Sequence, residues 1–285
     1  MTSWFSYSLA AFILMGLQGF LYKVAAERRC DTARTTFIFM AAVALLSFIL
    51  WAYLRESPGS LSVLIMLAVV NSLTFLAATM TCIEALRYIS ATTVYSFVRL
   101  NLVLVTIFSF VWFDDHLSWI QVAGIGIALC AILALTRGMN PQGIWHKPAK
   151  IGFIYAGISL LASTVAAISS KFAAISVGKL PFLAIVYSIA ALASLPLARR
   201  ETACDPKNRV LTIVIGLAMG VLNFFGYYAF LAALSMGPLP LVASITGMHF
   251  VVSVVLSFII YGEKLTRELV IGFFLTMISI ILLKL

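Results

Sequence analysis

The stretch TCIEALRYISATTVYSFVRLN, residues 81–101, places two charges, Glu84 and Arg99, inside two apolar runs that a very short polar turn joins. A charged side chain at the centre of a bilayer costs at least ~2.5 kcal/mol, so such residues usually face the protein interior, pair, or line a path for substrate or ions. These two residues are therefore functional candidates if the rest of the chain crosses a membrane.

The amino-acid composition is that of an integral membrane protein. Of 285 residues, 63% are hydrophobic and 10% are charged, against roughly 45–50% and 25% in soluble domains. A spanning helix needs about 20 mostly apolar residues. Charged residues, prolines and glycines divide the chain into ten such runs: 4–25, 35–54, 61–86, 91–112, 119–136, 151–173, 181–198, 210–234, 239–261 and 268–283. The runs lack the alternating pattern of a membrane β-barrel, so the predicted fold class is all-α integral membrane, with ten transmembrane helices.

The net charge of +9 is concentrated on one side of this predicted array. Thirteen Lys and Arg residues lie in connectors 1–2, 3–4, 5–6, 7–8 and 9–10, whereas the other side has three. Because Lys and Arg in short loops mark the cytoplasmic side, we predict a multi-pass protein of the cell (inner or plasma) membrane with both termini outside the cytoplasm. The start of the chain lacks the basic segment of a cleavable signal, and the four cysteines, without CxxC spacing, are predicted to be free thiols.

The two halves of the chain align, without gaps, at a shift of 148 positions. Identities across the halves include Lys23/Lys171, Ser96/Ser244, Ser109/Ser257, Leu117/Leu265 and Gly124/Gly272. The segment FDDHLS at 113–118 aligns with YGEKLT at 261–266, and in each a hydroxyl residue opens the next helix. Ser118 with Gln121 fits a capping box, in which each residue binds the other's backbone amide.

Each copy has five predicted helices, an odd number, so the second copy inserts with the opposite orientation. Inverted repeats are common in secondary transporters, where the substrate binds near the midplane between the halves. We predict a first five-helix repeat at 1–138, a connector at 139–148 and a second five-helix repeat at 149–285, together forming one transport domain.

With five plus five helices, the ALRYISA hairpin at 85–91 and the GEKLT turn at 262–266, the sequence resembles EamA-type members of the drug/metabolite transporter superfamily. The resemblance covers essentially the whole chain. It implies a central cavity lined by helices one to four and six to nine, peripheral fifth and tenth helices, and alternating access by rocking of the halves. The superfamily moves amino acids, sugars, nucleotides, amines and drugs, so the resemblance selects no substrate. Asp114-Asp115-His116 departs from the usual Gly-Glu-basic turn.

Polar side chains within the runs are the candidates for a substrate or ion pathway. Glu84 and Arg99 are predicted at comparable depths on adjacent helices, so they either contact substrate or ion, or form a fixed ion pair that only allows both charges to insert. A substrate-bound arginine suits a carboxylate or phosphate. The predicted pathway residues are Glu84, Arg99, Tyr95, Gln18, Tyr22, Asn223, Tyr227 and His249.

His249 aligns with Asn101 across the repeat, about ten residues into its helix. It is either a proton acceptor or a neutral histidine bonded between helices, and Glu84 and His249 are the two candidate proton carriers. Asn101 is expected to clamp two helices. Arg99 and Asn101 are predicted to point to opposite sides, so that they cannot both face one cavity directly. Lys23 and Lys171 either extend to lipid headgroups or contribute to binding.

These features predict a secondary active transporter of a small organic metabolite, not an enzyme, because neither a nucleotide-binding loop nor an HExxH motif is present. The expected partners are a small-molecule substrate and the lipid bilayer, with possible proton coupling, no cofactor, no metal and no nucleic acid, in a monomer or homodimer. Three basic residues within the runs against one acidic residue favour an amino acid or another zwitterion or anion.

Two alternatives stay open. The aromatic residues of helix eight around Asn223 favour an organic cation, such as choline or a drug. The alternative of another class is a lipid scramblase or a structural membrane partner.

Overall fold

A computed structural model describes residues 3–28, 30–86, 88, 94, 97–113, 117–138, 149–198, 206–261 and 266–285. Within these ranges the regular structure is helical, as predicted. The helices are α1 (Ser3–Glu27), α2 (Thr32–Leu54), α3 (Leu61–Leu86), α4 (Asn101–Trp112), α5 (Trp119–Gly138), α6 (Ala149–Ser176), α7 (Lys179–Ala198), α8 (Pro206–Met236), α9 (Leu239–Gly247), α10 (Phe250–Tyr261) and α11 (Arg267–Lys284). In the described part, seven segments are long and apolar enough to cross a membrane, the seventh comprising α9 and α10.

Most predicted runs coincide with helices, and local capping follows the sequence. The Ser118 amide donates to the Gln121 side chain at 3.0 Å, and the Gln121 amide donates to Ser118 Oγ at 3.2 Å. This reciprocal pair confirms the predicted capping box at the start of α5.

The ninth predicted run, 239–261, is not one continuous helix. It divides into α9 and α10 at Met248 and His249, where backbone amides bond three residues back instead of four: the His249 amide donates to Thr246 O at 3.1 Å and the Val252 amide to His249 O at 3.1 Å. A short 3₁₀ stretch of this kind inside a helix often marks a functional hinge.

The same break occurs at the equivalent position of the first repeat. Arg99 and Leu100 form a turn before α4 begins at Asn101, and the Leu102 amide donates to Arg99 O at 3.2 Å. The fourth predicted run, 91–112, is therefore also interrupted, although much of 87–96 lies outside the described residues. The two breaks meet, because the Arg99 guanidinium lies 5.8 Å from the ring centroid of Phe250, the first residue of α10.

Helices pack in pairs that join the two repeats. The extensive contacts are those of α1 with α8, α3 with α6, α2 with α7 and α5 with α11. The α2–α8 contact is close because Gly216 and Gly220 of α8 face Ile38 and Ala42 of α2, where an added Cβ would lie within 2.9 and 2.6 Å of a side-chain carbon. Small residues let membrane helices approach closely, and these two glycines, spaced as GxxxG, do so here.

One end of the helical array is sealed by contacts between the repeats. The Glu56 carboxylate, after α2, accepts hydrogen bonds from the Lys179 and Leu180 amides at the start of α7, at 2.8 and 2.9 Å. In the same region, the ring centroids of Phe113 and Phe172 lie 4.9 Å apart. We call this region, where α1 and α7 begin and α2, α6 and α8 end, the sealed end.

Candidate functional site

A cavity of about 300 Å³ lies near the middle of the helices, among α1, α2, α3, α7, α8 and the break between α9 and α10. Its lining is aromatic and polar: Met15, Gln18, Gly19, Tyr22, Phe39, Met40, Asn71, Ser72, Phe75, Val186, Tyr187, Ala190, Asn223, Tyr227 and His249. Of the described residues in this lining, five carry aromatic six-membered rings and none is an Asp, Glu, Lys or Arg. We call this space the central cavity.

Two amide side chains from different repeats form one polar wall of the central cavity. Asn223 Nδ2 of α8 donates to Gln18 Oε1 of α1 at 2.8 Å, and Gln18 Nε2 lies 3.4 Å from the hydroxyl of Tyr22. Asn223 Oδ1 is buried and has no hydrogen-bond partner among the described residues. Since a buried acceptor left unpaired costs about 1–3 kcal/mol, this oxygen suits a donor group on a ligand.

A second amide network holds another part of the cavity wall. Asn71 Nδ2 of α3 lies within 2.9–3.0 Å of three oxygens of α6: the Ala166 carbonyl and the hydroxyls of Ser169 and Ser170. The Ser170 hydroxyl in turn lies 3.0 Å from that of Tyr227 in α8. Because these bonds link three helices at mid-length, they fix the position of the Tyr227 ring.

His249 reaches the central cavity because the chain around the α9–α10 break packs against two glycines of α1, Gly16 and Gly19. At Gly16, an added Cβ would lie 2.5 Å from His249 O, and at Gly19 one would lie 2.5 Å from Ser253 Oγ. The Ser253 hydroxyl donates to Gly16 O at 2.7 Å. The His249 Nδ1 atom lies 2.7 Å from Thr246 O, so in the neutral ring Nδ1 donates there and Nε2 remains an acceptor.

A second cavity, of about 460 Å³, lies among α3, α6 and the break before α4. Arg99 and Asn101 both line it, with Thr79, Ser159 and Ser163. The expectation that Arg99 and Asn101 face opposite sides is therefore wrong: it assumed 100° per residue along a continuous helix, and the turn at Arg99 and Leu100 breaks that spacing. We call this space the Arg99 cavity; it shares Phe75 with the central cavity.

Of the eight predicted pathway residues, five meet in the central cavity: Gln18, Tyr22, Asn223, Tyr227 and His249. Arg99 lines the neighbouring cavity. Glu84 lies half-buried in the last turn of α3 and is not a lining residue of either cavity. Tyr95 is outside the described residues. The ion pair between Glu84 and Arg99 stays a prediction.

The two lysines matched across the repeats have different surroundings. Lys171 is only 7% exposed, so it does not extend to a headgroup. Its ammonium donates to the carbonyls of Leu234 and Gly237, at 2.8 and 2.7 Å, near the end of α8. Lys23 lies at the other end of the array, with its Nζ 5.4 Å from the ring centroid of Tyr261.

Sequence reasoning missed most of the aromatic wall. Tyr187, Phe39 and Phe75 line the central cavity, although nothing about an aromatic residue in an apolar run distinguishes a cavity position from a lipid-facing one. Asn71 had a detectable signal, because an amide in the middle of an apolar run needs a partner in the membrane. Conversely, Phe225 of the aromatic cluster on α8 is 53% exposed and points away from the cavity.

In the described part of the chain, no three His, Cys, Asp or Glu side chains lie close enough together to hold a metal ion. The arrangement instead provides ring faces, amide and hydroxyl groups and one imidazole around a ligand-sized space. A ligand with both an apolar and a hydrogen-bonding part would satisfy such a lining.

Comparisons with known proteins bear on both the fold and the activity. One crystal structure of a protein superposes with a TM-score of 0.75 over 97% of this chain and 96% of that chain, at 17% sequence identity. At that identity the likeness concerns the fold. A search of curated proteins finds no significant match. The model of the EamA-like transporter family matches residues 2–137 and 150–285, one copy on each half. The chain therefore belongs to the EamA-like transporter family, membrane transporters of small molecules.

Proposed function

We propose that this protein is a secondary active transporter that binds a small organic metabolite in the central cavity and moves it by alternating access. The observation that carries the proposal is the position of that cavity: helices of both repeats supply its walls, and its amide groups lie at mid-helix. Polar groups are costly at that depth and are found there chiefly where they line a pathway.

The proposed mechanism has ten spans in two inverted repeats that rock about the cavity. It is supported by the antiparallel packing of α1 on α8, in which Gln18 bonds to Asn223 and Ser3 to Met236. It is also supported by the paired breaks at Arg99 and His249, since interrupted helices commonly form binding sites in transporters built from inverted repeats.

The sealed end is proposed to be the closed gate of this conformation. Glu56 there joins the α2–α3 connector of one repeat to α7 of the other. Away from it, the central cavity is not enclosed, because Tyr22 and Phe75 are 44% and 52% exposed. With the orientation that the Lys and Arg distribution predicts, the open side faces the cytoplasm.

Two substrate classes remain candidates, each favoured by one observation. An amino acid or other zwitterion is favoured by Arg99 next to the central cavity. An organic cation is favoured by the aromatic lining of the central cavity, because ring faces attract ammonium groups by about 0.5–2 kcal/mol.

Counterflow in proteoliposomes tests the function. Liposomes loaded with an unlabelled solute are exposed to the same solute in labelled form, over a panel of amino acids, choline, organic acids and a nucleoside. We expect accumulation of one class, lost in Asn223→Leu and kept in Phe225→Leu, the control that changes a lipid-facing aromatic of the same helix. Movement of labelled phospholipid between leaflets with no solute accumulation would identify a scramblase and refute the proposal.

Proton coupling through His249 has a separate test. An imidazole in the cavity wall that carries the coupled proton makes uphill uptake depend on a pH gradient. We expect His249→Gln to lose uphill uptake while it retains counterflow, which needs no net proton movement. Equal uptake with and without a pH gradient in the unchanged protein would exclude proton coupling.

A further inference from the structure

A groove of about 370 Å³ lies at the surface of the helical array, where α2 begins, α7 ends and α8 begins. Most of its lining is apolar and includes Phe37, Leu195 and Ile213. Ile213 is 48% exposed, so the groove is open to the surrounding lipid. Two arginines, Arg34 of α2 and Arg209 of α8, also line it. We call this space the basic groove.

The basic groove lies at the end of the array opposite the sealed end. Arg34 and Arg209 are at the start of the apolar segments of α2 and α8, so they lie near the level at which these helices leave the bilayer. Deeper along α8, Gly216 packs against α2, where an added Cβ would lie 2.9 Å from Ile38 Cγ2. Because Arg209 and Gly216 are two helical turns apart, the groove extends about 10 Å towards the bilayer centre. It therefore has a basic mouth and an apolar interior.

The acidic residue of the lining, Asp31, is held by the protein itself. Its carboxylate caps α2 by accepting a hydrogen bond from the Arg34 amide at 3.1 Å, and it lies 3.5 Å from Arg34 Nε. A guanidinium has five N–H donors, so this contact leaves most of the Arg34 fork for another acceptor. Arg209 is exposed. With two arginines and one aspartate, the described lining has a net positive charge.

The two parts of the basic groove together select an amphiphilic anion. A phosphate group suits arginine, because the guanidinium fork matches two of its oxygens. A soluble anion would satisfy the arginines but leave the apolar interior without a partner. A phosphate that carries acyl chains satisfies both parts, because burial of its methylene groups against the apolar walls is favourable. A phospholipid with a cationic head group is disfavoured, since that group meets the like charge of the arginines.

We propose that the basic groove binds an anionic phospholipid of the surrounding leaflet, with its phosphate on Arg34 and Arg209 and an acyl chain against Phe37, Leu195 and Ile213. Basic pockets between membrane helices on the cytoplasmic side commonly hold such head groups. The Lys and Arg distribution predicts that this end of the array is cytoplasmic, and the cytoplasmic leaflet is the one that is rich in anionic lipids.

A lipid in the basic groove joins the two repeats. Helix α2 belongs to the first repeat and packs on α7 and α8, which belong to the second. The bound lipid contacts all three helices at the end opposite the sealed end. A ligand that binds only the folded protein raises its apparent stability, so the anionic lipid is expected to stabilise this conformation.

Native mass spectrometry of the delipidated protein in a non-ionic detergent tests the inference, because it counts bound lipids. The titrations compare phosphatidylglycerol with phosphatidylcholine of the same acyl chains. We expect the first phosphatidylglycerol to bind with a Kd about tenfold lower than that of phosphatidylcholine. It should also raise the Tm by roughly 3 °C or more at saturation. Equal dissociation constants for the two lipids would overturn the inference, and this comparison in the unchanged protein does not depend on any variant.

Replacement of both arginines removes the basic mouth. We expect the double variant Arg34→Gln, Arg209→Gln to lose most of the preference for phosphatidylglycerol. The matched control is Arg267→Gln, because Arg267 is an exposed arginine at the start of α11, on the same predicted side, and does not line the groove. A double variant that keeps the preference would refute the site, and so would an equal loss in Arg267→Gln.

Ala198→Phe tests the apolar part of the basic groove and leaves its charges unchanged. Ala198 lines the groove at the end of α7, so the added ring occupies space proposed for the acyl chain. We expect this variant to bind phosphatidylglycerol about tenfold more weakly, and undiminished binding would refute the proposed position. Inorganic phosphate should leave the Tm of the unchanged protein unaltered. A rise equal to that with phosphatidylglycerol would assign the groove to a soluble anion and overturn the lipid site.

Discussion

The approach of the broken helix to α1 gives the sharpest prediction. At Gly16, a Cβ would lie 2.5 Å from His249 O and 2.5 Å from the Cβ of Val252, whereas ordinary contacts begin at 3.4 Å. Gly16→Ala therefore requires α10 to move by almost 1 Å. Backbone and branched atoms oppose the methyl group, so no side-chain rotation relieves the clash.

The expected loss of stability follows from this overlap. Inserting a methyl group into a packed contact costs about 1–3 kcal/mol. For a chain of this size, that lowers the apparent Tm by roughly 3–10 °C. His249 shifts with the α9–α10 break, so we also expect uphill uptake driven by a pH gradient to fall at least tenfold, because functional groups must be held to within about 0.5 Å.

The control uses the same substitution at two other helical glycines. No atom lies within 4 Å of the Cβ position at Gly126 or Gly157. Alanine there should be neutral or stabilising by up to about 1 kcal/mol, because it has the higher helix propensity. Thermal unfolding of the three purified variants in one detergent is the measurement. A Gly16→Ala protein as stable as Gly157→Ala would refute the inferred approach of α10 to α1.

Three further predictions concern the gate and the cavity walls. Glu56→Gln weakens two charge-assisted hydrogen bonds at the sealed end by about 1–3 kcal/mol in total. Val177 is buried, so we expect this change to accelerate maleimide labelling of a Val177→Cys reporter at least fivefold. An unchanged labelling rate would contradict the proposed gate. Asn71→Leu should reduce stability by about 1–3 kcal/mol in thermal unfolding. Thr79→Val is the control and should not reduce it, because the Thr79 hydroxyl bonds within its own helix. Equal stability of the two variants would contradict the link between α3 and α6. Tyr187→Phe should keep the counterflow that Tyr187→Leu loses; equal counterflow in the two variants would contradict a role for the ring.

Much of the fold could be predicted because few backbone structures are stable in a membrane. Backbone groups in lipid must be bonded internally, so ten apolar runs imply helices, and the shift of 148 residues implies a duplicated fold whose two halves the family model matches separately. Capping at Ser118 followed from sequence alone because it is a contact over three residues. These features depend on composition and on local spacing.

The helix breaks could not be predicted. At the first break neither Arg99 nor Leu100 is a glycine or proline, so no local signal interrupts that run. At the second break Gly247 ends α9, but a single glycine is tolerated within a membrane helix and so does not predict a break. Tertiary packing supplies the cause at least at the second break, where α1 presents Gly16 and Gly19 to the crossing chain. As a result, the sequence-based expectation for Asn101 was wrong.

The sequence by itself determined that the chain is an α-helical membrane protein built from two repeats, and it identified polar residues that the bilayer does not tolerate without a role. Only the tertiary structure decided which of them meet. It brought Gln18 to Asn223, buried Lys171 against the end of α8, and separated Arg99 from the central cavity by Phe75. The physical reason is that hydropathy fixes which residues enter the membrane, whereas the packing of helices distant in sequence fixes which side chains share a cavity.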